Sequence, residues 1–151
     1  MKHNLELRTA KPFESYEWVS KRMGTFEKEL METIKERLDK LIPINFIDDK
    51  GAIRQLIQQI IGIEQVDIGY IEWNRFNDGL YIRELIISEE YQRKGIGRQC
   101  IELMKELEGL EWIALEFTEE SKPFWLRLGF VDDVERPEQV VLNLKSDKHT
   151  R

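Results

Sequence analysis

Hydrophobic positions change their period several times along this chain, and each change marks an element. In NLELRTA, Leu5 and Leu7 alternate with charged neighbours, which predicts a short strand. From Phe13 to Leu41 the spacing turns helical, with Trp18, Val19 and Met23 on one stripe and Phe26, Leu30, Met31, Ile34, Leu38 and Leu41 on the next. Gly24 followed by Thr25 divides that stretch into two helices, Thr25 being the second N-cap. Beyond Pro43, FIDDKGAIRQLIQQIIG reads as a helix capped by Asp48 or Asp49, the alternative being a short strand in its apolar end. Two alternating runs then flank Asn77-Asp78-Gly79, a hairpin signal, and predict antiparallel strands near 65–74 and 80–87. Ile101, Leu103, Met104 and Leu107 predict a helix face that stops before Gly109. A strand in EWIALEF, a short helix in SKPFWLRL, a turn at Gly129-Phe130 and a last strand in EQVVLNL complete the order. Strands and helices in this succession make a mixed sheet with helices on its faces.

Composition narrows the class. The chain has 151 residues, 41% hydrophobic and 34% charged, which suits one globular domain with a real core. We expect that domain to span residues 1–145, with a disordered tail over 146–151. No apolar run approaches the roughly 20 residues of a membrane span, and MKHNLELR lacks the apolar centre of a signal peptide, so the expectation is a cytoplasmic protein without membrane contact. Cys100 is the single cysteine, and no Cys/His cluster has metal-ligand spacing; no disulfide or metal is expected. A net charge of -6 argues against nucleic acid as a partner, because phosphate binding needs a concentrated basic surface, while an acidic body attracts cationic substrates.

One segment carries chemistry. EYQRKGIGRQCIELM places Gly95 and Gly97 between a basic cluster and the start of an amphipathic helix, although glycine is a poor helix former. Strand, glycine-containing loop and helix in succession make an anion site, since the first amides of a helix have no internal partners and its dipole favours negative charge. An ordinary tight turn would look the same. The G-x-x-x-x-G-K-S/T nucleotide loop is absent, and GIGRQC lacks the third glycine of the dinucleotide fingerprint.

LIISEEYQRKGIGRQCIELM resembles motif A of the GNAT superfamily of acetyl-CoA-dependent N-acetyltransferases, roughly L-x-V-x-P-x-x-Q/R-x-x-G-x-G/A, with Leu85, Ile87, Gln92, Gly95 and Gly97 in register. LEFTEESKPFWLRLGF is similar to motif B, a strand and helix ending in an aromatic-x-x-x-Gly-Phe signature, here Trp125 to Gly129-Phe130. The motifs run from about residue 80 to 131, and the first 60 residues match in layout only. The resemblance implies an α/β (α+β) acyl-CoA N-acyltransferase fold: a mixed, mostly antiparallel sheet, helices on both faces and a splayed cofactor cleft. It implies that the amides of Arg93, Lys94, Gly95, Ile96, Gly97 and Arg98 cradle the acetyl-CoA pyrophosphate, with Gln92 in the same motif. The backbone of Leu85, Ile86 and Ile87 would pair with pantetheine as an added strand. Family members often dimerise, so a homodimer is a further expectation.

Acetyl transfer to an amine needs a neutral nucleophile, a donor to the thioester carbonyl and, optionally, an acid for the leaving thiolate. By the resemblance, a glutamate serves as base. Glu84, on the motif A strand, and Glu116, on the motif B strand, are the candidates, with Glu72 on the hairpin as a third; each could equally be a surface or cross-strand charge. Trp125 stands where the family usually carries its tyrosine acid, and indole cannot give a proton to a thiolate. Tyr81 or Tyr91 would then substitute, or the thiolate would leave unassisted. Glu89 replaces the usual motif A proline. Phe124, Trp125 and Cys100 read as packing residues, and His3 and His149 lie too near the two ends for a histidine triad. The implied activity is acetyl transfer to the primary amine of a small molecule or a peptide in a ternary complex. The alternative is a non-catalytic acyl-CoA-binding module of the same fold.

Overall fold

The computed structural model describes residues 3–20, 45–47 and 53–144. In chain order it contains β1 (Leu5–Thr9), α1 (Pro12–Ser20), β2 (Asn45–Ile47), β3 (Ile53–Ile63), β4 (Val66–Arg75), β5 (Gly79–Ile87), a 3-10 turn (Glu89–Tyr91), α2 (Ile96–Lys105), β6 (Trp112–Glu116), α3 (Lys122–Arg127), β7 (Val131–Asp132) and β8 (Gln139–Asn143). The strands form one open sheet in the order β1-β3-β4-β5-β6-β8-β7, with β2 sharing an edge of β3 with β1. Every pairing is antiparallel except that of β5 with β6. The expected helix from Thr25 to Leu41 and the tail over 146–151 lie outside the described residues.

The segment expected to be a helix after Pro43 is largely strand: β3 runs for 11 residues between β1 and β4. Its apolar positions 53, 56, 57, 60 and 61 repeat at three and one, which is the spacing of a helix stripe. The sheet has a core on each face. Ile57, Ile61 and Ile63 belong to the main core, whereas Ile60 packs with Ala10, Trp18 and Tyr70 on the other side. A strand buried on both faces loses its alternation. Ile60 and Ile61 are both fully inaccessible, each stabilising the fold by roughly 1.5–3 kcal/mol.

The second core lies under α1, and α2 and α3 cover the first. Ile96, Cys100, Ile101 and Met104 are the buried face of α2, while Leu103, expected on that face, is exposed. Two bulges adjust the hairpin. Ile68 is skipped in the pairing of β3 with β4, and Arg83 in that of β4 with β5. Each bulge reverses which residues face which core beyond it. Gly79, read from sequence as a turn residue, has a different requirement: a Cβ there would stand 2.0 Å from the Trp112 ring, whose Nε1 donates to Asp78.

One ion-pair group ties β1, α1 and β4 together. The Arg8 guanidinium donates to both Glu14 oxygens at 3.0 and 2.7 Å and to Asp67 at 2.9 Å. Glu14 also accepts from the Lys11 amide at 3.0 Å. The Arg8 hydrogen bond, above all, pulls the Glu14 carboxyl down to about 2. A carboxyl depressed on folding stabilises the native state above its unfolded value, and that contribution disappears as pH falls through the folded value. Acid titration of stability between about pH 4.5 and 2 is therefore expected to be shallower in Glu14→Gln than in the parent, measured by denaturant melts across that range.

Candidate active site

β5 and β6 are hydrogen-bonded only from the Gly79–Trp112 pair to the Ile82–Leu115 pair. Past that point β5 continues to Ile87 with β4 as its partner, so the two parallel strands separate and leave the β6-facing backbone edge of β5 open. Leu85 and Ile87 turn into the main core side of this opening, and Ile86 packs against the second core. The splay leads into a cleft of about 540 Å³, walled by Leu85, Ile87, the Gln92–Gly97 loop and the aromatic face of α3.

The loop is built to present amides. Arg93 takes φ +64° and Gly95 φ +80°, the left-handed region in which Gly95 has no Cβ to clash. Around Gly95 a Cβ would meet nothing within 4 Å, so space for a ligand lies against its backbone. The first helical bond of α2 runs from the Gln99 amide to the Gly95 carbonyl at 3.0 Å, which leaves the amides of Ile96, Gly97 and Arg98 without intrahelical acceptors. Gly97 lets α2 and α3 approach closely: a Cβ there would lie 2.9 Å from Cζ of Phe124, so a larger residue would force that ring to shift. Gln92 folds back, its Nε2 donating to the Ile87 carbonyl at 2.8 Å and closing the turn between β5 and the loop. The Lys94 ammonium rests 5.6 Å from the centre of the Tyr91 ring.

Trp125 is buried, edge-on to Phe124 at 4.8 Å and to Phe130 at 5.3 Å between ring centres. It forms part of the cleft wall and of the core. Cys100 is wholly inaccessible, and burial pushes its thiol up to about 12, so it packs as a small apolar residue.

Tyr81 and Glu116 interact electrostatically where the pairing of β5 with β6 ends, and Glu84 follows on β5 past that point. Tyr81 is the register partner of Asn74 on one side and of Ala114 on the other, one pair before the strands part. Burial first, then the charge of Glu116, pushes the Tyr81 phenol above its ordinary value, which keeps it protonated at neutral pH. Glu84 lies directly across from Glu72, beside the Arg83 bulge. Glu116 is exposed at the end of β6. Glu72 is already engaged: one carboxylate oxygen accepts from Tyr70 at 2.6 Å and from the Gln58 amide at 2.9 Å, and the other accepts from Arg83 Nε at 3.3 Å. Tyr70 is inaccessible, and burial with the Glu72 bond drives its phenol well above the ordinary range. The geometry makes Glu72 a brace between β3, β4 and the bulge of β5.

Comparison with known proteins agrees with this architecture. The model of the acetyltransferase (GNAT) domain matches residues 51–132, more than half of the chain, from just before β3 through the loop and cleft to β7. The chain belongs to the GNAT acetyltransferase family. No curated protein matches its sequence. Solved structures share its fold. An acetyltransferase from Thermus thermophilus superposes with a TM-score of 0.62 at 19% identity, covering 95% of this chain and 100% of the other. The spermidine/spermine N-acetyltransferase SpeG from Vibrio cholerae, in mutant forms, gives 0.63 at 18% identity, with 97% of both chains covered. A mutant form of the AtaT toxin, bound to the C-terminus of the antitoxin AtaR and to acetyl-CoA, gives 0.58 at 12% identity, covering 97% of this chain and 98% of that one.

Within this GNAT domain, the predicted loop residues Gln92, Arg93, Gly95, Ile96 and Gly97 line the cleft with Leu85 and Ile87. Lys94, Arg98 and Ile86 belong to the same elements without forming its wall. Tyr81, Glu84 and Glu116 are not among the residues that line the cleft. Arg127 and Ser121 also line the cleft and carry no signal in the sequence, because neither falls on a motif position. His3, set aside for its place near one end of the chain, meets the glycine loop in space.

Proposed function

We propose that the protein is an acetyl-CoA-dependent N-acetyltransferase that acts on a primary amine by direct attack within a ternary complex. The observation that carries this reading is the junction of two open backbone surfaces: the free edge of β5 past Ile82 leads straight to the amides at the start of α2, Ile96 to Arg98, which lack intrahelical acceptors. An extended pantetheine chain fits the first and a pyrophosphate the second. Arg93 and Arg127 supply positive charge at the cleft wall. When bound there, acetyl-CoA supplies the thioester electrophile.

The chain's own residues provide the rest. Glu84, on the acceptor side of β5, takes the proton from the attacking ammonium group directly or through water. Glu116 offers a second carboxylate on the same face and favours a cationic acceptor. Tyr81 holds its proton at neutral pH and is the acid closest to the point of strand separation, in place of the buried Trp125. A backbone amide of β5 near Ile87 is the donor for the carbonyl oxygen. The acceptor is a small cationic amine or a peptide amine.

Trp125 favours one other reading, a module that binds acyl-CoA without turnover. Release of CoA thiol from acetyl-CoA, followed over polyamines, aminoglycosides, amino acids and peptides, separates the two. Turnover with one acceptor class establishes the transferase, and acetyl-CoA binding without release by any acceptor selects the binding module.

A further inference from the structure

Three hydrogen bonds join the residues before β1 to the glycine loop and α2. The His3 amide donates to Gln99 Oε1 at 2.9 Å, and Gln99 Nε2 donates in return to the His3 carbonyl. The His3 ring Nε2 stands 2.9 Å from the Lys94 carbonyl; a carbonyl only accepts, so that nitrogen carries the proton. His3 and Gln99 are 96 residues apart, and the paired amide contacts act as a two-bond clasp between segments that no element connects.

The direction of the Lys94 carbonyl gives this clasp a consequence. In a trans peptide the C=O and the following N–H point to opposite sides. Holding the Lys94 carbonyl outward on His3 therefore aims the Gly95 N–H inward, where Gly95 lines the cleft. The flanking backbone does not hold that orientation unaided, since Arg93 and Gly95 both occupy the left-handed region and Gly95 is free to rotate out of it. Gln99 completes the arrangement, because its own amide closes the first turn of α2 on the Gly95 carbonyl while its side chain grips His3.

We infer that His3 and Gln99 are positioning residues for the cofactor, preorienting the Gly95 amide toward the pyrophosphate and so setting the affinity for CoA. The inference rests on the proposed function, which puts the pyrophosphate at this loop.

Isothermal titration with CoA, and competition with pantetheine, which lacks the pyrophosphate, tests it on the full chain. His3→Ala and Gln99→Ala should each weaken CoA roughly three- to tenfold, the loss expected from one or two neutral hydrogen bonds. The double variant should be little worse than either single one, because both act through one clasp. Pantetheine should bind all of them as it binds the parent. His3→Gln, which keeps a donor near the position of the ring Nε2, should restore CoA affinity to within about twofold. Parent-like CoA binding in both alanine variants would overturn the clasp alone, and so would an equal loss for CoA and pantetheine, which would mark a general loosening of the fold. A parent that binds no CoA would overturn the clasp and the proposed function together.

Discussion

Glu84→Gln is expected to lower kcat about 10²- to 10⁴-fold, the range seen when a general base is removed, with CoA affinity unchanged. Glu84 sits on the strand whose edge opens past Ile82, at the level of the Arg83 bulge, and is the base in the proposed reaction. Its register partner is Glu72. Three donors from Tyr70, Gln58 and Arg83 hold the Glu72 carboxylate in a structural brace. Glu72→Gln should thus appear first as lost stability, about 1–3 kcal/mol, because the substitution sets an amide against the Gln58 and Arg83 donors. Glu116→Gln, at the exposed end of β6, should alter kcat less than about tenfold and act mainly on the KM of a cationic acceptor. Steady-state release of CoA thiol by the three variants, with CoA binding measured beside it, decides the assignment. A kcat lost in Glu116→Gln and kept in Glu84→Gln would exchange their roles.

Trp125→Ala is expected to cost about 3–5 kcal/mol of stability, as other large-to-small aromatic truncations in cores do. For a chain of this size that is a fall in Tm of roughly 6–20 °C. Trp125 joins Phe124 and Phe130 edge to face, and Phe124 in turn fills the space that a side chain at Gly97 would take. Removing the indole therefore loosens the α2–α3 contact that forms one wall of the cleft, and CoA affinity should fall with stability. Trp125→Phe keeps a ring against Phe130 and should lose less than half as much. Its kcat should stay within about threefold of the parent, because the indole N–H is not an acid that a thiolate can use. Differential scanning calorimetry and thiol release on the two variants check both halves. A large fall in kcat for a stable Trp125→Phe would give the indole a role in catalysis that its burial does not.

The glycine loop before α2 was legible in sequence because its backbone requirements are local. Gly95, Gly97 and Gln92 lie within six residues of one another, and the requirements of a left-handed residue and a helix start act over that distance. The hairpin around Asn77-Asp78-Gly79 was legible for a similar reason, since alternation and turn residues are read within one strand length. The reasons for individual glycines were not. Gly79 answers to Trp112 and Gly97 to Phe124, and both partners are about 30 residues away in sequence.

By itself, then, the sequence determined the glycine turn that opens α2, the order of most elements from β4 to β8 and the residue types available for acid and base. Only the tertiary structure decided the state of residues 53–63, because their apolar spacing satisfies a helix stripe and a two-faced strand equally, and a core on each side of β3 selects the strand. It also tied Glu72 into a brace, since hydrogen-bond partners drawn from three different strands cannot be read from spacing. The clasp of His3 on Lys94 and Gln99 belongs to the same class: contacts across more than 90 residues depend on how the sheet closes, and no periodicity records them.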